Sequence, residues 1–497
     1  MAVASPRTSA EPPGGQTMES RPSSLHVSFP PRCAGPVRPR GGGRRAFLRT
    51  SLGACGAGGM SLAGLLRARA EQPGKPARAV IMVWKPGGCS HIDTYDPKPE
   101  APSDYRGPFQ PIATAVPGMQ FTELLPRQAA LADKLVVLRS MSQTAGGHPA
   151  GSMQMLSGDM DTQDKPKPRL PDWMCAANRL LTERGGRDNP LPRYVGVNPP
   201  LGYNGPAWLG DAWQPLVVAG DPSAPDFRVP NIGLDDAGEV ARLRRRVGIR
   251  ATFDTFERSV GRRLEMEAID AFEARALELL TSRDARHAFD LSREDDRTRD
   301  RYGRNAWGQQ LLLARRLVEA GVDIVTTELS GPLCGRTGVW DDHAVDHHVF
   351  EALRFRAAAY DNAVAALVED IHDRGLSDRV LVVVTGEFGR TPKVSYGAST
   401  GAGNASAPAG TIQPGRDHWP QAFSNVWFGG GIEPGKVVGA TDRRGEQVIE
   451  RRSTAHDFLA TLYHHLGIDA GAVTIPDLAG RPTRLVEHGR PIPELVG

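Results

Sequence analysis

RVLVVVTGEFGRTP, residues 379–392, decides the fold. Val380 to Val384 are all apolar and mostly β-branched, with no polar alternation. Such a run reads as a strand buried on both faces, as in a parallel sheet. It ends at once in Thr385, Gly386, Glu387, Phe388, Gly389 and Arg390. A carboxylate and a guanidinium therefore stand just beyond the carboxyl end of a central strand, where open α/β sheets place ligand sites. Taken alone, the segment is equally well explained as a strand-end turn in which Glu387 and Arg390 pair with each other.

Strands and helices alternate outward from this stretch. Arg78–Trp84, Lys134–Ser140, Val322–Leu329 and Ser424–Phe428 have the apolar runs of strands. Thr122–Asp133 reads as a helix kinked at Pro126, and Gly151–Ser157 as the start of another. Trp307–Ala320 and Glu351–Arg374 read as helices stopped by Gly321 and Gly375, and Thr454–Leu466 as a further helix. This order predicts an α/β body, a mostly parallel sheet covered on both faces. Lys165–Pro230 is rich in Pro and Trp and has little periodicity, so it reads as an inserted cap or long-loop region. Asp235–Arg299 carries an amphipathic helical pattern, clearest in Glu265–Leu280, which places the whole cap at about residues 165–300. Gly397–Pro414 is low-complexity Gly, Ala, Ser and Pro and reads as a mobile loop.

The charge is divided unevenly. Ten Arg and two Glu give residues 1–70 a charge of +8, so the rest carries −5 out of a total of +3. A mildly acidic body gives no electrostatic case for nucleic acid. The five cysteines show no CxxC spacing and specify neither a disulfide framework nor a zinc finger. Residues 1–43 are too poor in apolar surface to fold and read as a disordered extension. Residues 44–70 combine RRAFLR, a weakly apolar Gly-rich run from Thr50 to Leu66, and the small-residue pattern Ala68-Arg69-Ala70. This is the pattern of a twin-arginine export signal, too short for a membrane span. It predicts a mature chain of residues 71–497, in the periplasm or extracellular, with the export machinery as a partner and no stable membrane span after cleavage.

Acidic and imidazole residues gather in four loops beside predicted strands. The first holds His91, Asp93 and Asp96, and the second Asp341, Asp342, His343, Asp346, His347 and His348. The third holds Glu387, and the fourth Asp417 and His418. Parallel strands bring their carboxyl ends to one edge, so these loops can converge. Carboxylates with neutral imidazoles form a ligand set for a divalent ion. Trp340 is an aromatic anchor for Asp341 and His343, whereas Asp342, His347, His348, His464 and His465 read as solvated or supporting residues. Thr144, His148 and Ser152 are candidates for the reacting group. The chain has no P-loop or GxGxxG, and its one GxSxG match, Gly397–Gly401, lies in the low-complexity stretch rather than at a strand-to-helix elbow; this argues against an α/β-hydrolase esterase, a P-loop motor and a dinucleotide dehydrogenase.

In order, GGCSHIDTYDPKPEAP, YRGPF, LADKLVVLRS, HPAGSMQMLSG, ARRLVEAGVDIV, WDDH, GEFGRTP, GRDHW and GATD resemble the family catalogued as domain of unknown function 1501. That family is related to the alkaline phosphatase and sulfatase superfamily, and the resemblance runs from about Ala79 to Arg484. It implies an alkaline-phosphatase-like three-layer sandwich, with the mostly parallel sheet central and the cap inserted. It also implies an exported metal-dependent hydrolase of phosphate or sulfate esters. The implied metal ligands are Asp93, Asp341, His343, Glu387 and His418, holding a divalent ion (Zn²⁺, Mn²⁺ or Ca²⁺). Arg390 would bind the anionic group of the ester, which a glycan can carry, and His148 would be the catalytic group at the nucleophile position. Two departures stand out: Glu387-Phe388 replaces an Asp-His pair, and His148 replaces a Ser, Thr or modified Cys. The alternative is a non-catalytic extracytoplasmic binding or scaffold protein that retains the fold. A carbohydrate-binding module is a third reading, with Trp173, Trp208 and Trp213 as stacking surfaces or, on the plainer view, core residues.

Overall fold

The computed structural model of the chain describes residues 78–496 except 162, 164–168, 188, 199–204, 231, 233–237, 239–241, 243–277, 332, 334–338 and 404. The N-terminal extension, the export signal, Cys334 and most of the predicted helix at 265–280 lie outside the described residues.

Eight strands form one sheet. In chain order they are β1 (Ala79–Trp84), β2 (Val136–Met141), β3 (Tyr194–Val197), β4 (Leu216–Val218), β5 (Ile324–Glu328), β6 (Val380–Thr385), β7 (Phe423–Gly429) and β8 (Lys436–Val438). Across the sheet they run β8-β2-β7-β6-β1-β5-β3-β4. Only β7 is reversed; it pairs antiparallel with β2 and β6. The opening stretch supplies β6, which lies beside β1 with Val80 opposite Leu381 and Trp84 opposite Thr385.

Both faces of the central strands are covered, which explains the unbroken apolar runs. Ile81, Val83, Val382 and Val384 point into one core, under α3 (Ala306–Glu319) and α4 (Val349–Asp373). Val80, Met82, Leu381 and Val383 point into the other. That core is closed by α1 (His148–Ser157), α2 (Trp173–Arg184) and α5 (Ala455–His465). The result is the three-layer sandwich expected. No helix among the described residues is long and apolar enough to cross a membrane.

Three local expectations change. Thr122–Asp133 is not one kinked helix: Gln120–Thr122 is a short strand, the helix begins at Pro126, and a 3₁₀ turn follows at Ala132–Lys134. The residue before a proline is disfavoured in helical geometry, so the helix starts at Pro126 rather than passing through it. The region read as cap contributes α2, β3 and β4 to the body. These two strands are only four and three residues long, too short to show a period among the prolines. Gly397–Pro414 is not a structureless loop; Ser395–Ala398 and Ile412–Gly415 pair as an antiparallel ribbon. Cys89 and Cys175 are buried free thiols.

Candidate metal centre at the carboxyl edge of the sheet

Four pieces of chain meet beyond the carboxyl ends of the central strands. After β1 the backbone turns at Gly87, where φ is +99°. A Cβ there would lie 2.5 Å from the Asp341 nitrogen, so only glycine lets the Trp340–His343 loop press this close. That loop is pinned by Trp340, which is buried and stacked on Trp307 at 5.8 Å. Its indole N–H donates to the Leu329 carbonyl at 3.2 Å. Glu387 follows β6. Gly389–Arg390 pairs with His418–Trp419 as a small antiparallel ribbon, with His418 opposite Arg390. His148 is the first residue of α1, behind Gly146 and Gly147.

Three imidazoles surround the Asp341 carboxylate. His343 Nε2 and His418 Nε2 each lie 3.1 Å from Asp341 Oδ1 and 3.0 Å from each other. His148 Nε2 lies 3.2 Å from Asp341 Oδ2. One ligand atom from each of His148, Asp341 and His418 falls within 4.8 Å of the others. The remaining ring nitrogens are all committed. His148 Nδ1 faces Glu387 Oε1 at 2.7 Å, His343 Nδ1 faces Asp417 Oδ1 at 2.8 Å, and His418 Nδ1 faces the Gly146 carbonyl at 2.5 Å. Each of those oxygens can only accept from an N–H, so each Nδ1 donates. A neutral imidazole that donates through Nδ1 carries its lone pair on Nε2. In their neutral forms the three rings thus aim Nε2 lone pairs, beside the carboxylate, at one small region, with Arg390 the permanent cation bonded to Asp341 there. Such donors fit a divalent ion, and the Nδ1 partners supply the outer hydrogen bonds that metal-binding imidazoles need. Glu387 Oε2 is buried and has no partner, a further donor at the same edge.

The electrostatics follow from these contacts. Burial opposes charge on His148, but its hydrogen bonds to Asp341 and Glu387 outweigh burial and raise its pKa to about 9. The bond to Asp341 raises His343 despite burial. Burial disfavours charge on Asp341, yet His148, His343, His418 and Arg390 together hold it far below the usual carboxylate range. Glu328, at the end of β5, is pushed up to about 7 by burial, with the charge of Glu387 adding to it.

Asp341, His343, His418, Glu387 and His148 come together as residue types suited to a metal. Asp93 does not join them. It is wholly buried; Arg416 Nε lies 2.7 Å from Oδ2, and the Ser90 hydroxyl donates to the same oxygen at 2.6 Å. The expectation of Asp93 as a ligand gives way to a structural ion pair, because a guanidinium satisfies the carboxylate first. Arg390 is not open to an ester either. It is fully buried and donates to the carbonyls of Gly87, Gly88 and Arg416 and to Asp341 Oδ1. Its role is to brace Asp341 against the β1 and β6 loops. Nor does it pair with Glu387, whose Oε1 accepts from the Gly87 N–H at 2.7 Å.

Asp342 is buried against Arg356 at 2.5 Å and His348 caps α4, as supporting residues do. Thr144 Oγ1 is bonded to the Gln154 amide. Trp173 is core; Trp208 and Trp213 pack partly buried beside that core, and Trp208 bonds the Arg169 carbonyl. Sequence reasoning placed Asp417 in the fourth loop without its bond to His343, and it missed the Gly146 carbonyl. An acid beside a histidine in GRDHW was the sole signal for Asp417, and nothing in a sequence marks a carbonyl.

No curated protein matches the chain by sequence. Solved structures similar to it include the phosphonate monoester hydrolase of Agrobacterium radiobacter, at 13% identity and a TM-score of 0.34, covering 84% of this chain and 77% of that one. The PsFucS1 sulfatase from Pseudoalteromonas sp. is similar at 12% identity and a TM-score of 0.32, covering 82% and 71%. Ps i-CgsB, solved with k-i-k-neocarrahexaose, is similar at 9% identity and a TM-score of 0.33, covering 79% and 72%. Likenesses this distant do not say what this chain acts on. The family model described as protein of unknown function (DUF1501) matches residues 77–496, and the chain belongs to that family.

Proposed function

We propose that this protein is an exported, metal-dependent hydrolase of phosphate or sulfate esters. One observation carries the reading: Nε2 of His343, Nε2 of His418 and Asp341 Oδ1 stand 3.0–3.1 Å apart while both Nδ1 atoms donate elsewhere. These three residues would hold the ion. A divalent ion bound there supplies Lewis acidity toward a phosphoryl or sulfuryl oxygen and toward water. Asp417 and the Gly146 carbonyl fix the tautomers of His343 and His418 and make their Nε2 atoms better donors. Arg390 holds Asp341 in place and reaches the ester only through it. His148, braced by Glu387, borders the same point and is the remaining group able to touch the reacting atoms.

Metal analysis of the purified mature chain, with turnover of aryl phosphate and aryl sulfate esters, tests this. Hydrolysis that appears with a bound ion and is lost on chelation supports it. A protein that stays inert with Zn²⁺, Mn²⁺ and Ca²⁺ sinks it. Export through the twin-arginine route rests on RRAFLR and Ala68-Arg69-Ala70. It predicts a periplasmic product starting near Glu71 and retention of the precursor when Arg44 and Arg45 become Lys.

The second reading is a non-catalytic binding or scaffold protein. The commitment of Arg390 to backbone carbonyls favours it, since the guanidinium expected to receive the ester is already occupied.

A further inference from the structure

We propose that His148 is itself a ligand of the ion, through Nε2, and not the group that attacks the ester. This deepens the metal-hydrolase reading and rests on it.

The imidazole is held from three sides. Its Nδ1 donates to Glu387 Oε1, which the Gly87 N–H fixes at 2.7 Å. Its ring lies 4.3 Å from the ring of His418 and 5.3 Å from that of Phe388, centroid to centroid. Phe388 in turn lies 4.4 Å from His418 and fills the space against α1, where a Cβ on Gly151 would meet its ring at 2.9 Å. So packed, the ring cannot swing out to an incoming ester without leaving Glu387. Nε2 points at Asp341 Oδ2, 3.2 Å away, toward the same carboxylate that His343 and His418 face. Without an ion, a proton on Nε2 meets that carboxylate; an ion that displaces the proton finds the same nitrogen within 4.8 Å of ligand atoms of Asp341 and His418. The direction of Nε2 is therefore that of a ligand.

This assignment narrows the choice of ion. Three imidazoles do not suit Ca²⁺, which takes oxygen ligands. Four protein ligands would fill the tetrahedron that Zn²⁺ favours and leave no place for an ester. An ion that accepts five or six ligands, Mn²⁺ or Co²⁺, keeps one open.

X-ray absorption on the mature protein loaded with Mn²⁺ or Co²⁺ counts the imidazoles directly. Three are expected in the wild type and two in His148→Ala, with Mn²⁺ affinity in a chelator competition lowered by roughly 10–100-fold or more. Two imidazoles in the wild type overturn the assignment without any variant. So does an affinity unchanged in a folded His148→Ala, or a phosphoryl group trapped on His148 when turnover is quenched in base. Two imidazoles with metal-dependent hydrolysis intact overturn the role of His148 alone. A wild type that takes up neither ion but binds Zn²⁺ overturns this assignment alone, and one that takes up no divalent ion overturns the metal-hydrolase reading with it.

Discussion

The loops after β1 and β5 look alike on paper. Each follows an apolar strand, and each offers aspartates and a histidine within a few residues, Asp93 and His91 in one, Asp341 and His343 in the other. In the folded chain they do opposite things. Asp93 is wholly buried and is taken by Arg416 and Ser90, while His91 Nε2 bonds the Gly445 carbonyl at 2.8 Å. That loop is a closed knot of internal partners. The Asp341 side chain remains 32% exposed; Arg390 donates to its Oδ1 from the buried side, and three imidazoles face it from the open side. A guanidinium is a permanent cation and completes a buried carboxylate. An imidazole completes it only when protonated or when it shares an ion, so the second loop keeps an opening for chemistry. The partner decides the role, and the partner comes from distant sequence: Arg416 in one case, His148 and His418 in the other.

If this contrast is right, the two aspartates fail differently when removed. Asp93→Ala leaves Arg416 buried and unpaired and is expected to cost about 3–5 kcal/mol of stability, with or without metal. The midpoint of denaturant unfolding measures it. A loss under 1 kcal/mol would mean that the knot is not structural. Asp341→Asn removes the carboxylate that Arg390 and three imidazoles face, so it should lose stability in the metal-free protein as well as the ion; retention of the ion by folded Asp93→Ala is what separates the two.

The imidazoles extend the comparison to pH. His465 has no carboxylate partner; its Nε2 donates to the Ala79 carbonyl at 3.0 Å, and burial lowers its pKa to about 4, helped by Arg78. Its folded value lies below the unfolded 6.5, so the unfolded chain binds more protons between the two. Stability is then fully present above pH 6.5 and falls by about 3 kcal/mol as pH drops to 4. His148 has the opposite sign. Raised to about 9 in the metal-free protein, it stabilises below pH 6.5 and loses that contribution as pH rises through 9. In melting curves of the metal-free protein the His465 contribution should therefore fall away below pH 6.5 and the His148 contribution above it. His148→Gln should flatten the alkaline side alone, and a variant that leaves that side unchanged would break the assignment of its partners.

The smallest effect concerns the outer hydrogen bond of the site. Asp417 is 53% exposed in its side chain and contributes little to stability, but it fixes the His343 tautomer at 2.8 Å. Asp417→Ala should weaken the ion by roughly 10–100-fold with the melting point of the metal-free protein nearly unchanged. An equal loss of both would make Asp417 a packing residue.

Most of the body was legible in the chain, because its central strands are covered on both faces and their apolar runs have no other reading. The runs at 80–84, 136–138, 324–325 and 380–384 all proved to be sheet, and the helices ending near Gly321 and Gly375 stop close to those glycines. The short strands β3 and β4 were hidden in a Pro- and Trp-rich stretch, since three or four residues cannot display a period. The sequence offered Asp341, His343, Glu387, His418 and His148 as candidates by chemistry and position, and the fold brings those five to one edge of the sheet. Asp93 and Arg390 misled for one reason: a sequence shows that a charged group exists but not what already neutralises it.

The sequence by itself determined the layers, the edge of the sheet where polar groups collect, and which side chains could serve a metal. These depend on local residue type and periodicity. Only the tertiary structure decided that Arg416 claims Asp93, that Arg390 is spent on carbonyls, and that every Nδ1 in the cluster is tied back so that every Nε2 faces Asp341. Those outcomes turn on pairs separated by as many as 323 positions, such as Arg416 with Asp93. Hydrogen-bond direction and burial set them, and neither exists before the chain has folded.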